Sequence, residues 1–108
     1  MKTIKVNCID QARIFNSKLL WTAGGVTELV SELRYKKVRV LGGDVYRVRS
    51  NGEPVLSYDN WSIPSNVSAS DSLEDSLEYI FTYERRYSGK FLYNLELVND
   101  LGESIILQ

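Results

Sequence analysis

Histidine is absent from this 108-residue chain, and cysteine occurs once, as Cys8. The first absence removes Ser-His and Cys-His catalytic pairs and the commonest zinc ligand. The second rules out an internal disulfide, so the chain reads as a protein of a reducing compartment or one indifferent to redox. No apolar run is long enough to cross a bilayer. The segment Lys2-Thr3-Ile4-Lys5-Val6 is too polar for the apolar part of a signal peptide. A cytoplasmic location without a membrane partner is the expectation. Neither sign of charge is in excess: 13 Lys plus Arg face 14 Asp plus Glu, a net −1. Direct nucleic-acid binding, which draws on a basic surplus, is therefore not expected, although a local patch of one sign remains open.

What is present is ordinary for a globular protein: 44% hydrophobic and 25% charged residues. The length suits a single domain over 1–108 with one core. Lys2 to Val6 alternates as a short strand, and Asp10 to Phe15 is read as a short helix capped by Asp10. Gly24-Gly25, after Trp21, signals a loop. Val26, Leu29, Val30 and Leu33 recur at the period of a helix with one buried stripe. Val38 to Arg49 reads as strand. Counting by two places Gly42, Asp44, Tyr46 and Val48 on the face of Val38 and Val40, with Arg39, Arg47 and Arg49 toward solvent. Gly42-Gly43 marks either a bulge in one continuous strand or a hairpin turn that divides it.

Pro54 to Trp61 forms the next strand, followed by a loop from Ile63 to Ser70. Asp71, with Glu74 three residues on, predicts a helix N-cap. Leu73, Leu77, Ile80, Phe81 and Glu84 share one side of that helix, and Arg85 and Arg86 suit its C-terminal end. Phe91 to Val98 alternates as a strand, Asn99 to Gly102 turns, and Ser104 to Leu107 closes a hairpin. This order gives an α+β fold: a mainly antiparallel sheet with two principal helices packed on one face.

Asn51-Gly52 favours a two-residue type I′ hairpin turn. In that register Val48 pairs with Val55, Tyr46 with Ser57, and Asp44 with Asp59. Like charges directly opposite destabilise a sheet. Such a pair calls for backbone donors, a shared proton or a positive partner. Two readings stay open. Each aspartate either caps a turn beside the glycines, or both line an electronegative surface notch with Tyr46, Tyr58, Asn60 and Trp61. Aromatic anchors beside fixed acceptors are what a protein interface uses.

Other chemistries find less support. Paired carboxylates can act as acid and base, yet no phosphate loop accompanies them, and no ligand spacing for a metal is recognisable. No cofactor is implied. Tyr79, Tyr83 and Tyr87, four residues apart on the second helix, read as its wet edge. Cys8 reads as a small packed residue.

The segments Leu41-Gly42-Gly43-Asp44-Val45-Tyr46 and Ser57-Tyr58-Asp59-Asn60-Trp61 resemble immunity protein family forty of bacterial polymorphic toxin systems. The helix approached by Trp21, with Leu29 and Leu33 inside, is similar too, so the likeness covers roughly Trp21 to Tyr87. The resemblance implies an α+β fold and an antitoxin role: binding and neutralising a co-encoded toxin, a class that includes nucleases, with no catalytic residues. Asp44, Tyr46, Tyr58, Asp59, Asn60 and Trp61 are then the candidate partner-binding residues. The alternative is a small-ligand or regulatory domain with the same tyrosines and tryptophan lining a pocket. A closed cavity beneath Trp61 would favour that reading over an exposed patch.

Overall fold

The computed structural model describes residues 2–108. Its centre is a three-stranded antiparallel sheet built of β4 (Arg39–Val48), β5 (Pro54–Ser62) and β6 (Phe91–Val98), in the order β5-β4-β6. Helices α1 (Ala23–Leu33) and α2 (Ala69–Arg86) cover one face. Their apolar stripes, Val26, Leu29, Val30 and Leu33 from α1 and Leu73, Leu77 and Ile80 from α2, meet Val40, Val45, Trp61, Tyr93 and Leu97 of the sheet. This is the α+β arrangement that the order of elements predicts, and burial of these stripes is its main stabilisation.

The helix starts show how the local chemistry works. Thr22 caps α1, its hydroxyl accepting the Gly25 N–H at 3.0 Å, so Gly24 and Gly25 lie inside the first turn and not in a loop. Ser68 caps α2 and accepts the Asp71 N–H at 3.0 Å. The expected cap, Asp71, stands three residues inside the helix, where its negative charge faces the positive end of the dipole.

The N-terminal segment departs from expectation between Asp10 and Phe15. A short 3-10 helix spans Asn7–Gln11. Its opening amides, Asn7 N–H and Cys8 N–H, donate to the two carboxylate oxygens of Glu32 on α1 at 2.6 and 2.9 Å. Arg13–Phe15 is then a strand, β2, paired with β3 (Lys18–Leu20). Asn16 and Ser17 between them both have positive φ, 50° and 63°. This is the type I′ geometry of a two-residue hairpin. The hairpin covers part of the sheet face opposite the helices, burying Leu20 against Tyr46 and Leu92.

At the other end, Ser104 bridges Val98, but Ile105–Leu107 (β7) leaves β6 and pairs in parallel with β1 (Lys2–Ile4). The expected terminal hairpin thus forms at its turn and first bridge and then gives way to a parallel pair. That pairing brings Ile4, Ile105 and Leu107 together against the edge of the main core.

Gly42-Gly43 resolves as a bulge within one continuous strand. Val40 pairs with Leu97 and Gly42 with Glu96, leaving Leu41 as the extra residue. One extra residue reverses the faces that follow. Val40 and Val45 therefore both face the helices, while Gly42, Asp44, Tyr46 and Val48 face away from Val38 and Val40, contrary to the simple count. Arg39 is not a solvent-facing cation either: it donates to the carbonyls of Val67, Pro64 (3.1 Å) and Ser65 (2.7 Å), pinning the loop before α2.

Candidate partner-binding surface

The β4–β5 hairpin turns through three residues, not two. Arg49 N–H donates to Glu53 O at 2.9 Å, and Gly52 N–H donates to Arg49 O at 2.8 Å. Gly52 alone in this loop takes a positive φ, 86°, and the Asn51 side chain accepts the Glu53 N–H at 3.0 Å. Asn51 spends its side chain on this local turn, which needs no left-handed backbone at its own position. The register moves by one as a result. Val48 faces Pro54, Arg47 faces Val55, and Tyr46 faces Leu56.

A second irregularity follows at once. Between the pairs Tyr46–Leu56 and Asp44–Asn60, the single residue Val45 stands opposite Ser57, Tyr58 and Asp59. Tyr58 is turned out of the strand at φ 69° and is 83% exposed. Ser57 holds the bulge, its hydroxyl donating to Val45 O at 2.8 Å and accepting the Asp59 N–H at 3.2 Å. Asp44 therefore lies opposite Asn60, and the expected Asp44–Asp59 pair does not exist. The two carboxylates serve separate hollows.

Asp44, half-buried, lines an open notch of about 210 Å³ with Asn60, Ser62 and Glu96, floored by Gly42 and Gly43. Asp59 accepts the Tyr83 hydroxyl hydrogen at 2.7 Å and borders a hollow of about 240 Å³ with Tyr79 and Tyr87. The two hollows share no lining residue.

Trp61 and Tyr46 are each only 7% exposed. The Trp61 indole stacks on Tyr79 with ring centres 4.8 Å apart, meets Tyr93 edge-on at 6.5 Å, and donates from Nε1 to the Ser76 hydroxyl at 3.0 Å. It lies across Gly43, where an added Cβ would come within 2.5 Å of the ring. The glycine pair is thus a seat for the indole, and the space beneath Trp61 is filled. Tyr46 packs on the hairpin side, edge-on to Phe15 at 6.3 Å. Of the six candidate residues, Tyr58, Asp59 and Asn60 are exposed, Asp44 is partly so, and the two aromatic ends of the motifs are interior.

Sequence reasoning missed two serines. Ser72 and Ser76 are fully buried on α2, one turn apart. Ser72 accepts the Val40 N–H at 3.0 Å beside the bulge and donates to Ala69 O, while Ser76 receives the indole. Their signal was present: both fall on the apolar side with Leu73 and Leu77, where a hydroxyl needs a partner.

Burial shifts the phenols. Tyr83 is pushed up to about 12, first by desolvation and then by its bond to the Asp59 carboxylate. Tyr79 is raised by desolvation and then by the charge of Asp59. Tyr93 is driven well above the usual phenol range by burial and by donating to Glu84 at 2.6 Å. Cys8 is likewise raised to about 12, chiefly by burial and then by Glu32, and so stays a protonated thiol without nucleophilic power. Among the described residues no three His, Cys, Asp or Glu side chains converge as metal ligands would. No helix among them is long and apolar enough to cross a membrane.

The Immunity protein 40 family matches residues 12–97, and this chain belongs to that family. The family is one of immunity proteins and not of enzymes, and its members' defining partner is a toxin. The match runs from the start of the β2–β3 hairpin to the end of β6 and contains both sequence motifs. No curated protein and no solved structure matches the chain.

Proposed function

We propose that this protein binds a co-encoded toxin domain of a polymorphic toxin system in the cytoplasm and neutralises it. Contact is made by the surface that Asp44, Tyr58, Asp59 and Asn60 present at the β5 bulge. Tyr46 and Trp61 serve that surface from inside, as the packing that fixes its two ends. The observation that carries this reading is Tyr58, 83% exposed and held at φ 69°. A left-handed backbone costs a non-glycine residue roughly 1–2 kcal/mol. Strain of that kind persists where surrounding structure enforces it, often at functional sites. Here the enforcing bonds are those of Ser57 to Val45 and Asp59.

A ring displayed in this way loses little freedom on binding. The flanking acidic groups suit a partner with a basic surface and speed encounter with it. A nuclease with a basic substrate groove is such a partner. The pocket alternative gains nothing from the structure, because Tyr79, Tyr93 and the Gly43 backbone occupy the space under Trp61.

The test is co-expression with the toxin domain encoded beside this chain, scored by growth. Wild type protects. Tyr58→Gly, whose backbone accepts φ 69° freely, keeps its melting temperature but loses protection, and Asp44→Ala behaves similarly. Full protection by both variants would overturn the proposal.

A further inference from the structure

The tyrosines of α2 remain without a role. Trp61, Tyr79, Tyr83 and Tyr87 form a continuous ladder, with ring centres 4.8, 6.1 and 4.6 Å apart along it. Tyr87 is the most exposed ring of the ladder and Tyr79 is half-buried, and at the Tyr87 end the Arg86 guanidinium rests 5.8 Å from the ring centre. Asp59 stands beside the ladder with Oδ2 engaged by the Tyr83 hydroxyl. Its other carboxylate oxygen and the hydroxyls of Tyr79 and Tyr87 have no partner among the described residues. These acceptors border the hollow of about 240 Å³.

Pockets for small molecules run about 300–1,000 Å³. This hollow falls below that range and suits one long side chain. Its polar lining offers a carboxylate oxygen, two phenol oxygens and aromatic surface, which together suit a flat cation with several N–H donors. The hollow is also continuous with the proposed contact surface, because Tyr58 and Asp59 are adjacent.

We infer that the partner inserts an arginine side chain into the hollow between Asp59 and the Tyr79–Tyr83–Tyr87 ladder. Its guanidinium bonds the free Asp59 oxygen and packs on the tyrosines. Arg86 occupies the rim as a weaker internal substitute that must move aside. The inference rests on the proposed function for the identity of the partner, while the hollow can be probed without it.

Two measurements decide the matter, on the full chain. The first titrates N-acetyl-arginine amide into the protein and follows the ring signals of Tyr79 and Tyr87 by NMR. Saturable shifts are expected in wild type and are lost in Asp59→Asn, whose amide oxygen still accepts the Tyr83 hydroxyl and preserves the fold. The second measures affinity for the purified toxin domain by calorimetry. Asp59→Asn should weaken binding at least tenfold, Arg86→Ala should tighten it severalfold at low salt, and Glu53→Gln on the distant hairpin turn should leave it unchanged. Wild-type affinity in Asp59→Asn would overturn the inference. If wild type binds no toxin domain, the proposed function fails, and the arginine titration alone upholds or rejects the hollow: saturable, Asp59-dependent shifts uphold it and their absence rejects it.

Discussion

Replacing Gly43 by alanine should break the fold at the point where its two sequence motifs meet. A Cβ at this position would sit 2.5 Å from Trp61 Cη2, 2.8 Å from Cζ2, and closer than 3.0 Å to the Asn94 carbonyl oxygen. The carbonyl is backbone of the neighbouring strand, paired in register with β4, so it cannot yield without opening the sheet. The indole could withdraw only by leaving Ser76 and its stack on Tyr79. Overpacking of a tight core costs about 1–3 kcal/mol, and a buried donor left without its partner costs about 1–3 kcal/mol more. The sum, about 4 kcal/mol, is a large part of the roughly 5–15 kcal/mol that holds a domain together. It corresponds to a fall of about 15–30 °C in melting temperature for a chain of this size. Urea denaturation followed by near-UV circular dichroism reads both the stability and the setting of the tryptophan. Gly52→Ala is the control, since nothing lies within 4 Å there and only the φ of 86° opposes it, at roughly 1–2 kcal/mol. A cost below about 1 kcal/mol for Gly43→Ala, with an unchanged near-UV spectrum, would refute this reading of the glycine pair.

Ser76→Ala should lose about 1–3 kcal/mol by stranding the Trp61 Nε1–H in the core, whereas Thr82→Ala on the exposed side of α2 should change little; paired urea melts compare them. Gly24→Ala should stabilise by up to about 1 kcal/mol, because an added Cβ meets only the Thr22 hydroxyl, at 4.0 Å; a lower melting temperature would contradict the helical placement of that residue. In alkali, Tyr83 in the folded chain ionises near 12 and not at its ordinary 10.0. A raised folded value means that its stabilisation is complete below pH 10 and is lost as pH rises from 10 toward 12. Absorbance at 295 nm should therefore show a late tyrosine component that coincides with unfolding, and Tyr83→Phe should reduce that pH dependence, leaving the share owed to the raised phenols of Tyr79 and Tyr93. Titration of every tyrosine near 10 in a still-folded chain would be the contrary result.

The repeating parts of the fold were legible and the irregular ones were not. Phe91–Val98 alternates cleanly and is a strand over that range. The stripe Val26–Leu33 is buried as its period requires, and so are Leu73, Leu77 and Ile80, whereas Phe81, grouped with them by spacing, is 40% exposed. The twin glycines did mark a bulge, but nothing local shows that one extra residue, Leu41, turns Asp44 away from Val40. The Asn51-Gly52 pair pointed to a type I′ turn that occurs instead at Asn16-Ser17, because Asn51 uses its side chain to close a three-residue loop. From that shift and the bulge at Tyr58, the imagined pairing of aspartates dissolved. Asp44, Tyr58 and Asn60 stayed at the surface. Trp61 and Tyr46 went inside, since partners distant in sequence, Ser76 with Tyr79 and Leu20 with Leu92, were waiting for them. Such long-range partners carry no signature at the residue they capture.

The most direct measurement for the proposed interface is backbone amide hydrogen exchange on this chain, with and without the toxin domain proposed as its partner. Slowed exchange should centre on Tyr58, Asp59 and Asn60 and extend to the Tyr83–Tyr87 turn of α2. Protection confined to α1 or to the β1–β7 pair, with the bulge exchanging as it does in the free protein, would contradict the proposal.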